Sequence, residues 1–299
     1  MELELIRIAI ALIGCLLATY YDLFNQRNIP NNLTYPLVAL GILVNLYPFS
    51  LASLAELLPV FAVSLVVFCI GYLFYLRGSI GGADILVFTA LSLLLPSAPN
   101  ALRILPQRAL LLSLPSFPFI LSLFILSGFL FALYMVAKYV LPAVRDMQRG
   151  RVKTKKSNLL VGIFLVLLAF AFSVLYTNAA VPLSPVYLVL FTFLLLSTGF
   201  FTLLKDHIAE NYFIESVPVE KLEEEDVIMV EKLDVKLVSK FNIKPLLTRD
   251  NIERIKQSGL KLIPVYTKLP AFMPYILLAL ILSLVFGDPL EHLLNISFN

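Results

Sequence analysis

Apolar residues fall along this chain in long, nearly unbroken runs. Eight stand out, over residues 4–22, 33–48, 54–75, 84–96, 117–141, 159–177, 185–204 and 271–286. A helix rises about 1.5 Å per residue, so roughly 20 apolar residues carry it across the hydrocarbon core of a bilayer. Most of the runs come close to that length; the fourth is short and stops at Pro96. The pattern predicts a membrane all-α protein, a polytopic bundle of about eight transmembrane helices. Composition agrees: 60% of the 299 residues are hydrophobic and 14% charged, where soluble domains carry about 25% charged residues. Residues 1–8 hold Glu2, Glu4 and Arg7 and lack a basic n-region, so the first run is expected to stay as a span.

The polar stretches between the runs set the orientation. Residues 145–156 hold six basic residues (Arg145, Arg149, Arg151, Lys153, Lys155, Lys156) against the single acid Asp146. The positive-inside rule puts this stretch in the cytoplasm. Counting crossings outward places both termini outside and the loops near Arg27 and Arg77 inside. Residues 205–268 contain 11 Lys/Arg and 12 Asp/Glu, yet they keep apolar periodicity. They are expected to form a small cytoplasmic α+β domain inserted before the last helix. Val227 to Leu233 and Leu260 to Tyr266 are rich in branched residues and predict strands. Thr248 predicts the N-cap of a short helix over 249–258, and Gly259 its stop. The acidic run Glu223 to Asp226 predicts a solvated turn. The expected division is 1–204 as a seven-helix catalytic bundle, 205–268 as the cytoplasmic domain, and 269–299 as the last helix with an external tail.

Several chemistries find no residues to carry them. Cys15 and Cys69 are isolated inside apolar runs, and His207 and His292 are isolated too, so no metal site and no cofactor are expected. The net charge of +3 carries no implication of a nucleic-acid partner, and none is expected. Two acids remain. Asp22 closes the first run and Asp84 opens the fourth. Two complete crossings separate them, and an even number returns the chain to the side it left. Both carboxyls are therefore expected at the cytoplasmic face at similar depth. Acids inside a membrane are costly and mark function by default. Two carboxyls brought close at a partly dry site cannot both ionise cheaply, so the pair can share a proton. One member can then take a proton from an attacking water while the other donates to a peptide carbonyl oxygen.

The flanking residues suit that use. Gly81, Gly82 and Ala83 are small, which lets another backbone come close to Asp84. Pro30 and Asn31 suit a turn entering a helix, and Arg27 suits an anchor at the basic side.

Together, Asp22, the run Arg27-Asn28-Ile29-Pro30-Asn31 and Gly81-Gly82-Ala83-Asp84 resemble the type IV prepilin peptidases, particularly the archaeal branch that also processes preflagellins. Residues from about Val217 to Pro274 look like the C-terminal domain of larger archaeal members. The resemblance implies a GxGD-type aspartyl intramembrane peptidase. It implies Asp22 and Asp84 as the catalytic pair and a prepilin-like or preflagellin-like precursor as substrate, cut where its short charged leader meets its hydrophobic helix. This chain departs in two places. Ala83 stands where the GxGD motif has its second glycine. The paired CxxC motifs and methylation domain of bacterial members are absent, so neither zinc nor a methyltransferase activity is expected. Two other functions stay open: an ion-coupled transporter using Asp22 and Asp84 as proton or cation sites, and a scaffold that binds pilin precursors without cutting them.

Overall fold

The computed structural model describes residues 2–25, 28–47, 54–76, 78, 80–102, 118–152, 154–178, 185–267 and 269–288. Its elements in chain order are α1 (Glu2–Phe24), α2 (Asn31–Leu46), α3 (Leu54–Tyr75), α4 (Gly82–Leu94), α5 (Phe119–Gln148), α6 (Lys156–Asn178), α7 (Pro185–Leu203), α8 (Lys205–Ile208), β1 (Ile214–Pro218), α9 (Val235–Phe241), α10 (Arg249–Gln257), β2 (Leu262–Tyr266) and α11 (Met273–Phe286). A helix therefore forms on each of the eight apolar runs. By length and composition, four of them (α1, α3, α5 and α6) can cross a membrane. A fifth joins them if α7 and the segment Lys205–Phe213, bent from it by 71°, count as one span. The helices α2, α4 and α11 are shorter, at 16, 13 and 14 residues.

The short α4 is the centre of the bundle. Every residue from Val87 to Leu95 is buried, as expected of a helix that is apolar all round. It packs chiefly against α2 and α3, and also against α1 and α5. Two glycines let the neighbours close in. A Cβ on Gly41 would stand 2.9 Å from Leu93 Cβ, and one on Gly71 would stand 2.7 Å from Ile85 Cγ2. Buried polar groups pin the same helices. Asn45 donates to the carbonyls of Gly41 and Leu93 and accepts from Arg7, and Ser92 donates to Ser64. The last helix, α11, packs between α1 and α5 and joins the same core through Ile276, Ala279 and Leu280. Helices α6 and α7 pack on each other, and their outward residues such as Phe164 and Phe170 are exposed. In a chain this apolar, that is the surface a lipid would cover.

Residues 214–266 form a small unit with its own core of Val219, Ile228, Leu247, Ile255, Ile263 and Val265. β1 and β2 pair antiparallel, with Ile214 opposite Tyr266 and Pro218 opposite Leu262. The partner of β2 is therefore β1 and not the expected strand over 227–233. In that stretch only Val227 and Ile228 make single bridges, to Leu246 and Val265, and Val230–Lys232 winds into a 3-10 turn. The charged Glu231 and Lys232 interrupt the apolar alternation there. α10 begins as expected: the Thr248 hydroxyl accepts from the Asn251 N–H, and Gly259 follows with φ +76°.

Candidate active site

Asp22 stands on the buried stripe of α1. Ile8, Ala11, Cys15 and Ala18 recur three and four residues apart and are all buried, and Asp22 continues the same row at 6% exposure. The spacing alone turns its carboxyl inward. There it meets the start of the last helix: the backbone N–H of Met273, first residue of α11, donates to Asp22 Oδ2 at 2.9 Å. Phe272, the N-cap of α11, offers no side-chain acceptor. Asp22 thus supplies the acceptor that the open end of a distant helix needs.

Asp84 is the third residue of α4, with Gly81 at the N-cap. Its carboxyl turns back and accepts from the Gly81 backbone N–H, the acidic half of a capping box. A Cβ on Gly81 would stand 3.2 Å from Asp84 Oδ2, so the glycine leaves room for that return. Gly82 is equally confined, since its Cβ would stand 3.3 Å from the Tyr75 ring. Ala83 lies inside α4 with ordinary helical geometry. A glycine's extra dihedral freedom is not used at this position, so the departure from GxGD costs the loop nothing.

The two carboxyls line one cleft of about 980 Å³ and lie close enough for their charges to interact. Of the other residues singled out from sequence, Asn31, Gly81, Gly82 and Ala83 line the cleft as well. Pro30 is the N-cap of α2 beside it, and does not line it. Arg27 lies outside the described residues. Among the described residues, no three His, Cys, Asp or Glu side chains gather so as to hold a metal ion.

Sequence reasoning missed several walls of the cleft. Phe68, Tyr72 and Tyr75 stack along one face of α3, with neighbouring ring centroids 6.0 Å apart, and all three face the cleft. Their spacing of four and three residues was the available signal. Phe272, at the start of α11, lines it too. The acidic run forms the expected solvated turn, and it also meets the cleft. Glu224 and Glu225 are exposed, but both line the cleft, and Glu225 Oε1 accepts from the Tyr75 hydroxyl at 3.0 Å. The small unit is thus part of the cleft wall.

Comparison with known proteins bears on the same region. Residues 9–136 match the type IV leader peptidase family. Over 105 residues the chain is 34% identical to the prepilin peptidase EppA of Methanothermobacter thermautotrophicus, an alignment covering 33% of this chain. The chain spans about a quarter, 26%, of the length of that curated relative. No solved structure matches the chain. The matched residues run from α1 into α5 and so include both aspartates with the helices that carry them. Residues 9–136 are thus similar to the type IV leader peptidase family.

Proposed function

We propose that the protein is an aspartyl intramembrane peptidase that removes the leader of prepilin-like or preflagellin-like precursors. The observation that carries this reading is the pair Asp22 and Asp84. Two carboxyls at helix ends share one cleft of a largely apolar bundle. Such burial is costly and is kept where it serves a reaction or a transport path. The named relative, a prepilin peptidase, adds the substrate class.

The proposed reaction is water attack on a peptide carbonyl. One carboxylate takes a proton from water as its oxygen bonds to the carbonyl carbon. The other carboxyl, protonated, donates to the carbonyl oxygen. The resulting diol collapses, and the departing amine takes up a proton as the C–N bond breaks. The Met273 and Gly81 N–H groups fix the two carboxyls in place. That matters because a misplacement of about 1 Å can cost roughly 100-fold in rate. The chemistry needs no methyl donor, and no methyltransferase activity is proposed.

The membrane arrangement belongs to the same proposal. All eight long apolar runs would cross, with α2, α4 and α11 short because they lie inside the bundle. Residues 205–268 would form the inserted cytoplasmic domain, both termini would lie outside, and the cleft would open to the cytoplasm. The basic stretch over 145–156 supports that orientation.

The full chain, purified in detergent, is expected to cut a pilin-like precursor once, at the junction of leader and hydrophobic helix, as read by mass mapping of the products. Cutting elsewhere, or of unrelated membrane helices only, would reject the substrate class. A cysteine at Arg151 is expected to react only with cytoplasmic reagent, and labelling from outside would invert the arrangement.

A further inference from the structure

The start of α11 touches both helices that carry the aspartates. Met273, fully buried, donates its backbone N–H to Asp22 of α1. Its neighbour Phe272 packs its ring against Phe88 of α4, with centroids 6.2 Å apart. Phe88 follows Asp84 by four residues, one turn of the same helix, so the two share a face. A third helix backs the pair. Phe131 of α5 meets Phe272 edge-on at 5.3 Å and Tyr275 at 5.4 Å. Two consecutive residues therefore join the Asp22 side of the cleft to the Asp84 side.

Neither residue belongs to the stretch 9–136 that carries both aspartates. They come from beyond the small unit. β2 ends at Tyr266, six residues before Phe272, a reach of about 20 Å at full extension. The same unit sits against the chain just before Asp84: Glu225 accepts from Tyr75, and Val227 packs 3.1 Å from where a Cβ on Gly78 would stand. The unit thus bears on the entry to α4, and its exit leads to the N–H on Asp22. A backbone bond to Asp22 alone would serve as a cap for α11. The ring contact on α4 gives the same turn a second fixed point, and two points set a separation.

We propose that Phe272 and Met273 are positioning residues that set the separation of the two carboxyls, so that the last helix completes a dyad it does not itself carry. The proposal rests on the peptidase reading above. The attacking water must lie within hydrogen-bond reach of its base while the other carboxyl reaches the carbonyl oxygen, and a misplacement of about 1 Å can cost roughly 100-fold in rate. A brace within one helical turn meets that demand, because its hold on Asp22 and its hold on α4 move as one.

The test removes one N–H and no side chain. In the full chain, the α-hydroxy acid of methionine in place of Met273 turns the 272–273 amide into an ester. The same exchange at Tyr275, whose N–H donates to the Phe272 carbonyl at 3.0 Å, is the control. Both esters weaken bonding at that carbonyl, so they differ in the loss at Asp22. The 273 ester is expected to lower kcat on a pilin-like precursor at least about ten-fold, with KM moved less than about two-fold. The 275 ester should keep kcat and lose only stability. Phe272→Leu also lowers kcat, and combining it with the 273 ester should cost less than the product of the two losses, since one brace fails once. Wild-type kcat in the 273 ester, equal loss in both esters, or losses that multiply overturn the proposal. If the wild-type chain cuts no precursor, the peptidase reading falls and the brace is judged by infrared carboxyl bands, assigned through Asp22→Asn and Asp84→Asn. The 273 ester should shift both bands and the 275 ester neither. No shift, or a shift confined to the Asp22 band, reduces Met273 to a partner of Asp22 in capping α11 and overturns the proposal.

Discussion

The two ends of the α1, α2 and α4 cluster bury polar groups in opposite ways. At one end Asn45 spends its whole side chain on neighbours. Its amide nitrogen donates to two carbonyls at 2.7 and 2.6 Å, and its oxygen accepts from Arg7 at 3.0 Å. At the other end Asp22 accepts the Met273 N–H and Asp84 the Gly81 N–H, while both line an open cleft. A carboxylate offers about four acceptor sites and an amide side chain about four in all. The amide here is nearly saturated inside the protein, and the carboxyls are placed against a space that a ligand can enter. The contrast separates polarity that locks helices from polarity kept for chemistry.

That contrast breaks most sharply at the aspartates. Asp22→Asn and Asp84→Asn are each expected to lower precursor cleavage by at least about 10³-fold, the scale of lost acid–base catalysis. Both variants should still insert and keep their thermal transition, since an amide oxygen can accept the same N–H. Full cleavage by either variant would remove the dyad assignment. Ion flux without a precursor, sensitive to the same changes, would favour a transporter.

Asn45 should answer in the other currency. Asn45→Ala strands the Leu93 carbonyl and Arg7, and it is expected to cost about 2–3 kcal/mol of stability. The check is the denaturant midpoint in detergent against kcat of the folded fraction. A stable Asn45→Ala protein with lost activity would place that end in the chemistry and erase the contrast.

Gly81 lies between the two behaviours. An added Cβ would stand 3.2 Å from Asp84 Oδ2, so the carboxyl must shift by a few tenths of an ångström. Gly81→Ala is expected to lower kcat about three- to ten-fold, with the melting temperature nearly unchanged. Equal kcat would mean that the carboxyl's position tolerates more play than the proposed reaction allows.

Most of the helical frame was legible because an apolar run needs no partner to be recognised. Asp22 could even have been turned inward from sequence, by extending the row Ala11, Cys15 and Ala18. What escaped was everything set by distant pairing. The Met273 N–H reaches Asp22 across 251 residues, and no local pattern announces a backbone donor. β1 was missed and 227–233 over-read for the same reason. Short strands are chosen by the partner they find, and β2 found Ile214–Pro218. The acidic turn was readable as a turn, but its seat on the cleft depends on where the small unit docks. Thr248 shows the opposite case, a cap carried by one residue and its own neighbours. Thr248→Ala should cost about 1 kcal/mol, confined to the small unit. Hydrogen exchange should show that loss in α10 and leave α4 as protected as before.

The mildest change tests the motif itself. Ala83 and Gly81 flank the same carboxyl, yet they meet different demands. Gly81 is needed for space, whereas Ala83 sits in the first turn of α4 with helical geometry, where alanine is the better helix former. Ala83→Gly would restore the GxGD spelling while adding only freedom to the helix start. It is expected to cost about 0.5 kcal/mol of stability and to move kcat/KM by less than about two-fold. A larger gain in rate would mean that the loop before Asp84 must leave its helical conformation during turnover. The glycine of the motif would then serve motion rather than fit.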